Sequence, residues 1–289
     1  EVLARGFEWT EGPLWVEKGR YLLFSDIPPN KIFKWSEDKG VEEYLHPSGY
    51  TGSVPRGGEP GSNALLLDAD GRLVMCQHGD RRMARMDAPL DSPRSLFITL
   101  ADKYEGKRFN SPNDAVFHKN GDLYFTDPPY GLLKNVDDSS KELHYQGVFR
   151  LHKDGRLDLV TKDIARPNGI AFSPDQKKLY VANSDWPNGP WMVFDVSSTG
   201  DVSNGRVFRG AGKGEAGVAG DGMKVDQKGN LFATGPGGVW IMDSTGKDLG
   251  RILTNGVATS NIAFNTDRTA MFITADSLLL RVRLKSMRN

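Results

Sequence analysis

The feature that most restricts this chain is an internal repeat. Six short segments share one form: a small or turn residue, then a polar amide or acid, then an apolar stretch. They are Thr10-Glu11-Gly12-Pro13-Leu14-Trp15, Ser62-Asn63-Ala64-Leu65-Leu66, Pro112-Asn113-Asp114-Ala115-Val116-Phe117, Pro167-Asn168-Gly169-Ile170-Ala171-Phe172, Gly220-Asp221-Gly222-Met223-Lys224-Val225 and Ser260-Asn261-Ile262-Ala263-Phe264. Their polar anchors, Glu11, Asn63, Asn113, Asn168, Asp221 and Asn261, are by subtraction 52, 50, 55, 53 and 40 positions apart. After each anchor comes a turn, such as Asp70-Gly71 or Asn120-Gly121, and then a second β-type run. Those runs end at Asp26, Gln77, Asp127, Asn183, Gly235 and Ala275, each 14 or 15 positions beyond its own anchor. Asn-Gly and Asp-Gly between apolar runs are strong hairpin signals, because a two-residue primed turn needs positive φ.

Third and fourth strands are also readable, for example Gly147 to His152 followed by Arg156 to Thr161. Four strands per unit of roughly 40 to 55 residues is the pattern of a propeller blade. The expected fold is therefore an all-β, six-bladed β-propeller spanning residues 1–289 as a single domain. The sixth unit reaches only its third strand, at Leu278 to Leu284, while the opening run Val2-Leu3-Ala4-Arg5-Gly6 is unused. The N-terminal strand is thus expected to complete that blade and close the ring, leaving no open sheet edge. The length of 289 residues is consumed by the six units, and the 33 glycines, about 11% against a usual share of about 7%, go to turns and strand starts.

Charge closes other possibilities. Lys and Arg number 37 against 37 Asp and Glu, so the basic excess of a phosphate-tracking nucleic-acid binder is missing. No uncharged apolar run approaches the roughly 18 residues of a membrane helix. The single cysteine, Cys76, excludes an internal disulfide framework and a paired-thiolate zinc site. The chain opens without methionine and already inside strand-like sequence, an opening that leans toward a trimmed, exported (periplasmic or secreted) protein over a cytoplasmic one. Oligomeric state leaves no readable mark.

In a propeller the innermost strands line the central channel, so six polar anchors at their starts converge on one end of the axis. Each alone is explained as a turn former that bonds neighbouring backbone. Together they form an oxygen-rich ring with two formal charges, Glu11 and Asp221. Two carboxylates among amide oxygens suit a hard divalent cation, above all Ca²⁺, with Mg²⁺, Mn²⁺ or Zn²⁺ as alternatives. Zinc fits least well, since His46, His78, His118, His144 and His152 include neither an i, i+2 pair nor an H-E-x-x-H helix. His78, just past a second strand, is placed by the propeller geometry in a loop over the channel mouth. No G-x-S-x-G elbow occurs. Gly212-Lys213-Gly214-Glu215-Ala216-Gly217 matches G-x-G-x-x-G in form but is followed by no helix pattern.

Glu11-Gly12-Pro13-Leu14-Trp15, Arg108-Phe109-Asn110-Ser111-Pro112-Asn113-Asp114, Tyr124-Phe125-Thr126-Asp127-Pro128-Pro129-Tyr130-Gly131, Pro167-Asn168-Gly169 and Gly220-Asp221-Gly222 together resemble the gluconolactonase family. That family also includes the senescence marker protein (regucalcin) and the luciferin-regenerating enzyme. The similarity runs from about Gly6 to Leu284 and is closest to the bacterial gluconolactonase-like branch. It implies a six-bladed propeller with one catalytic divalent metal, usually calcium, held by Glu11, Asn113, Asn168 and Asp221. It further implies that an arginine and an asparagine near the third anchor hold the substrate, here Arg108 and Asn110, and that Asn63 contacts it. Tyr130, Asp185, Trp186 and His78 are expected around the pocket.

The expected chemistry is opening of a small-molecule lactone: the cation polarises the carbonyl and a carboxylate takes a proton from the attacking water. Candidates for that carboxylate are Asp221, Asp114 and Asp127, with Asp221 favoured because it can touch both metal and water. Asp114 bonding to neighbouring backbone, and Asp127 capping a turn, are the structural alternatives. Two rival functions stand beside the lactonase: a promiscuous esterase or organophosphate hydrolase on the same site, and a non-catalytic propeller holding a structural ion.

Overall fold

The computed structural model describes residues 1–185, 187, 189–210 and 220–284. It has six four-stranded antiparallel sheets arranged as the blades of a β-propeller. The inner strands, in blade order, are Thr10–Val16, Ser62–Leu67, Ala115–Phe117, Pro167–Phe172, Met223–Val225 and Asn261–Phe264. Each pairs with a second strand ending where the 14- or 15-residue offset requires: Tyr21–Asp26, Leu73–Gln77, Leu123–Asp127, Lys178–Asn183, Leu231–Gly235 and Ala270–Ala275. Buried apolar side chains pack between neighbouring blades, as where Leu23, Leu65, Met75 and Met86 join blades one and two. Among the described residues no helix is long and apolar enough to cross a membrane.

The sixth blade closes as the sequence predicts. Val2–Arg5 pairs antiparallel with Leu278–Arg283, Arg5 opposite Leu278 and Val2 opposite Leu280. The Arg281 guanidinium lies 2.9 Å from the Glu1 carboxylate, and Leu3 and Ala4 pack with Phe24, Trp35 and Phe272.

Two details differ from expectation. The turns after the inner strands are not two-residue primed turns. Gly71 N–H donates to Asp68 C=O, and among Ala69, Asp70 and Gly71 only Gly71 has positive φ, at 72°. This is a three-residue loop that closes with one left-handed residue. Gly121 and Gly229 fill the same role, at φ 92° and 84°. In addition, a short hairpin, Lys103–Tyr104 with Lys107–Arg108, stands between blades two and three, where no strand signal was read.

The ring is stitched at its centre. Ala64 N–H donates to Asn113 C=O, Gly169 N–H to Asp221 C=O and Gly222 N–H to Ser260 C=O. Gly169 is there because nothing larger fits: a Cβ on it would lie 2.1 Å from the Asp221 carbonyl oxygen. At this contact, between blades four and five, the two anchor segments approach closely because residue 169 has no side chain.

Candidate active site

Five of the six anchors, Glu11, Asn63, Asn113, Asn168 and Asp221, line one cavity of about 250 Å³ at the channel mouth, with Trp9, Glu59, Tyr130, Arg166 and Ser184. The sixth, Asn261, sits beneath: its amide donates to Glu11 Oε2 at 3.2 Å, and its oxygen accepts from Lys224 Nζ at 3.3 Å. Glu11 Oε2 also accepts from Gly12 N–H at 2.7 Å.

The electrostatics are unfavourable to the bare protein. Glu11 and Asp221 are almost wholly buried. Burial pushes the Asp221 carboxyl well above the usual carboxylate range, and neighbouring Glu11, Asp114 and Glu59 push it further. Burial likewise raises Glu11, with Asp114 adding to it, against the relief given by Gly12 N–H and Asn261. Desolvated like charges at one site disfavour ionisation.

The segment containing Asp127 explains how Tyr130 reaches the cavity. Asp127 is fully buried and accepts from the backbone N–H groups of Asn110 and Ser111, both at 2.8 Å. Ser111 in turn donates its hydroxyl to Pro128 C=O at 2.6 Å and accepts from Gly131 N–H at 2.9 Å. Arg56 adds a guanidinium bond to Gly131 C=O. Tyr130 is thus held over the opening. Blade one repeats the clamp, with Asp26 accepting from Glu8 and Trp9 N–H groups, and blade four does so with Asn183 and Arg166 N–H at 3.0 Å.

These contacts correct several expectations. Asp127 is a clamp on the loop before the third anchor, outside the cavity lining. Asp114 points the other way, into a larger cavity of about 670 Å³ at the opposite end of the channel, where it accepts from Ala115 N–H at 2.8 Å and Ile170 N–H at 3.2 Å. Consecutive residues of an extended segment face opposite sides, so Asn113 in one cavity places Asp114 in the other. Arg108 bonds Asp80 C=O at 3.1 Å from the edge of the inserted hairpin. Asn110 is buried, donating to Asp127 and Tyr145 carbonyls. Neither lines the cavity. Asp185 stands behind it, half-exposed and 3.5 Å from Arg166. His78 is buried one layer out, against Asn63. Trp186 and the stretch Gly212 to Gly217 lie outside the described residues.

Trp9, Glu59, Arg166 and Ser184 were missed. Trp9 and Arg166 occupy the same repeat position, two residues before their anchors, so the repeat phase that located the anchors could also have located them. Glu59 lies in a loop with no repeat counterpart and had no such signal.

The fold, the ring of anchors and the loop order together invite comparison with known proteins. The sequence profile of the SMP-30/gluconolactonase/LRE-like region matches residues 9–277. The chain belongs to that family. Within the SMP-30/gluconolactonase/LRE-like family it is 45% identical over 294 aligned positions to the gluconolactonase of Zymomonas mobilis, covering 99% of this chain and 81% of the relative. The solved gluconolactonase of Xanthomonas campestris superposes with a TM-score of 0.83 at 33% identity, covering 98% of this chain and 89% of that one. A regucalcin from Agrobacterium tumefaciens, a calcium-binding protein, shares the fold at a TM-score of 0.75 and 17% identity, over 97% and 92% of the two chains.

Proposed function

We propose that this protein hydrolyses a sugar lactone in the cavity at the channel mouth. The observation that carries the reading is the convergence of Glu11, Asn113, Asn168 and Asp221 on one cavity, in a chain 45% identical to a gluconolactonase. The donor set suits a divalent cation such as Ca²⁺. Among the described residues no group of three or more His, Cys, Asp and Glu side chains is placed to hold a metal, so an ion here draws on amide oxygens as well, which favours a hard cation over zinc. Two buried carboxylates with raised affinity for protons also have unmet need of positive charge. Glu11, Asn113, Asn168 and Asp221 would hold the ion.

When bound, such an ion supplies Lewis-acid polarisation of the lactone carbonyl. Asp221 serves as the proton acceptor for the attacking water, since its carboxylate faces the cavity and no other carboxylate of the three candidates does. Arg166 and Tyr130 are placed to bond the hydroxyls of the substrate, and Trp9 offers a flat apolar wall.

The test is acid release from a lactone panel before and after complete chelation, with the Glu11→Gln variant alongside. Loss of activity on chelation and return with Ca²⁺ is expected. The variant should bind Ca²⁺ at least about tenfold more weakly, because ligand charge sets affinity, while its melting temperature stays close to that of the parent. Full activity without metal would end the metal-assisted reading.

A further inference from the structure

Asn63 is buried at the cavity wall, and its side-chain oxygen has no hydrogen-bond partner in the protein. A buried acceptor without a partner is costly unless something else supplies the donor. Asn63 lines the cavity, and the group behind it sets which way its amide is turned. The amide nitrogen lies 3.3 Å from His78 Nε2. His78 is fully buried, and Gly131 packs so tightly on it that a Cβ there would come within 2.7 Å of the His78 Cβ.

The other ring nitrogen, Nδ1, faces the Glu59 carboxylate at 3.3 Å. The pair is outside hydrogen-bond alignment as it stands, and a small swing of the half-buried Glu59 side chain closes the bond. A carboxylate only accepts, so the neutral imidazole keeps its proton on Nδ1 and leaves Nε2 bare. A bare Nε2 accepts from the Asn63 amide nitrogen. The amide oxygen then has to face the opposite way.

We infer that Glu59 and His78 are positioning residues that fix the Asn63 amide with its oxygen toward the cavity, reserved for a hydroxyl donated by the substrate. The relay stands on geometry alone; its substrate arm rests on the lactonase reading. On that reading Asn63 selects hydroxylated lactones over plain ones. A site built to bond a hydroxyl discriminates strongly against an analogue that lacks it, because the buried group is then left unpaired.

Two readouts test this. Nitrogen NMR of isotope-labelled histidine in the full chain should show His78 protonated on Nδ1 alone, with that preference lost in Glu59→Ala and kept in Glu59→Gln, whose amide oxygen still accepts. The ratio of kcat/KM for D-gluconolactone to that for an unsubstituted six-membered lactone should fall about tenfold in Glu59→Ala and in Asn63→Leu, and by less than about twofold in Glu59→Gln. A proton on Nε2 in the parent protein, or an unchanged ratio in Glu59→Ala, overturns the relay. Absence of turnover on both lactones would instead overturn the lactonase reading, with the histidine spectrum still deciding the relay.

Discussion

Asp127 is fully buried, yet it holds two backbone N–H groups in place. Burial pushes its carboxyl up to about 7, against the pull of Asn110 and Ser111 N–H and the more distant Arg81 and Lys141 charges. In the unfolded chain the same group titrates near its ordinary value of 3.8. Between those two values the folded protein binds more protons than the unfolded one, so this residue's contribution is fully present below about pH 4 and is lost as pH rises through about 7. Urea midpoints are therefore expected to fall more steeply from pH 5 to pH 8 in the parent than in Asp127→Asn. Parallel slopes would show that Asp127 stays ionised throughout. The slope carries the test, because asparagine also turns an amide N–H₂ toward one of the two donors. The clamp was not legible in the sequence. Its spacing of 14 residues from the anchor was read, but a carboxylate that bonds backbone and one that faces substrate look alike until the loop above it is placed. Asp114 was more accessible to reasoning, since strand alternation alone separates it from Asn113. Arg108 and Arg166 show the converse: a matching motif pointed to the first, while the cavity is lined by the second.

At the scale of the strand and turn, the repeat was readable because each blade solves the same problem with the same residues. An anchor leads into the inner strand, a left-handed residue closes the loop, and in blades one, three and four a polar side chain at the end of the second strand pins the incoming segment. In the other three loops the left-handed residue is not glycine but Arg20, Gln176 or Arg268, which dipeptide signals do not register. The glycines that follow anchors were visible as part of the repeat, but their reason is tertiary. Gly169→Ala places a methyl against the Asp221 carbonyl and the Gly222 Cα, the latter 2.8 Å away. Overpacking of this kind costs about 1–3 kcal/mol, and relief requires two neighbouring anchors to separate. Chemical denaturation should show that loss, and calorimetric titration should show weaker Ca²⁺ binding. Gly57→Ala, where nothing lies within 4 Å of the added carbon, is the control and should leave both nearly unchanged. Equal behaviour of the two variants would mean that the ring centre has slack.

For the whole molecule the decisive contact is between the two ends of the chain. Removing Glu1 to Arg5 would uncover the Leu278–Arg283 strand as a free edge and take Leu3 and Ala4 from the aromatic cluster beneath. A loss on the order of 2–3 kcal/mol is expected from the apolar burial alone, read as a melting temperature lower by roughly 3–5 °C. Light scattering should also report association through the open edge; an unchanged melting temperature would mean that the ring holds without its closing strand. This closure was legible from the strand count, since one blade was short by a strand and one strand had no blade.

The same closure sets the order in which the cavity can come into being. Asn261 reaches Glu11 across 250 positions, and Asp221 faces the same acid from 210 positions further along the chain. Glu11 leaves the ribosome well before either of these partners and waits for them. Until then no oxygen ring exists, and the site proposed for a cation is incomplete. An incomplete chain, however well its early blades fold, therefore has no partial activity to offer.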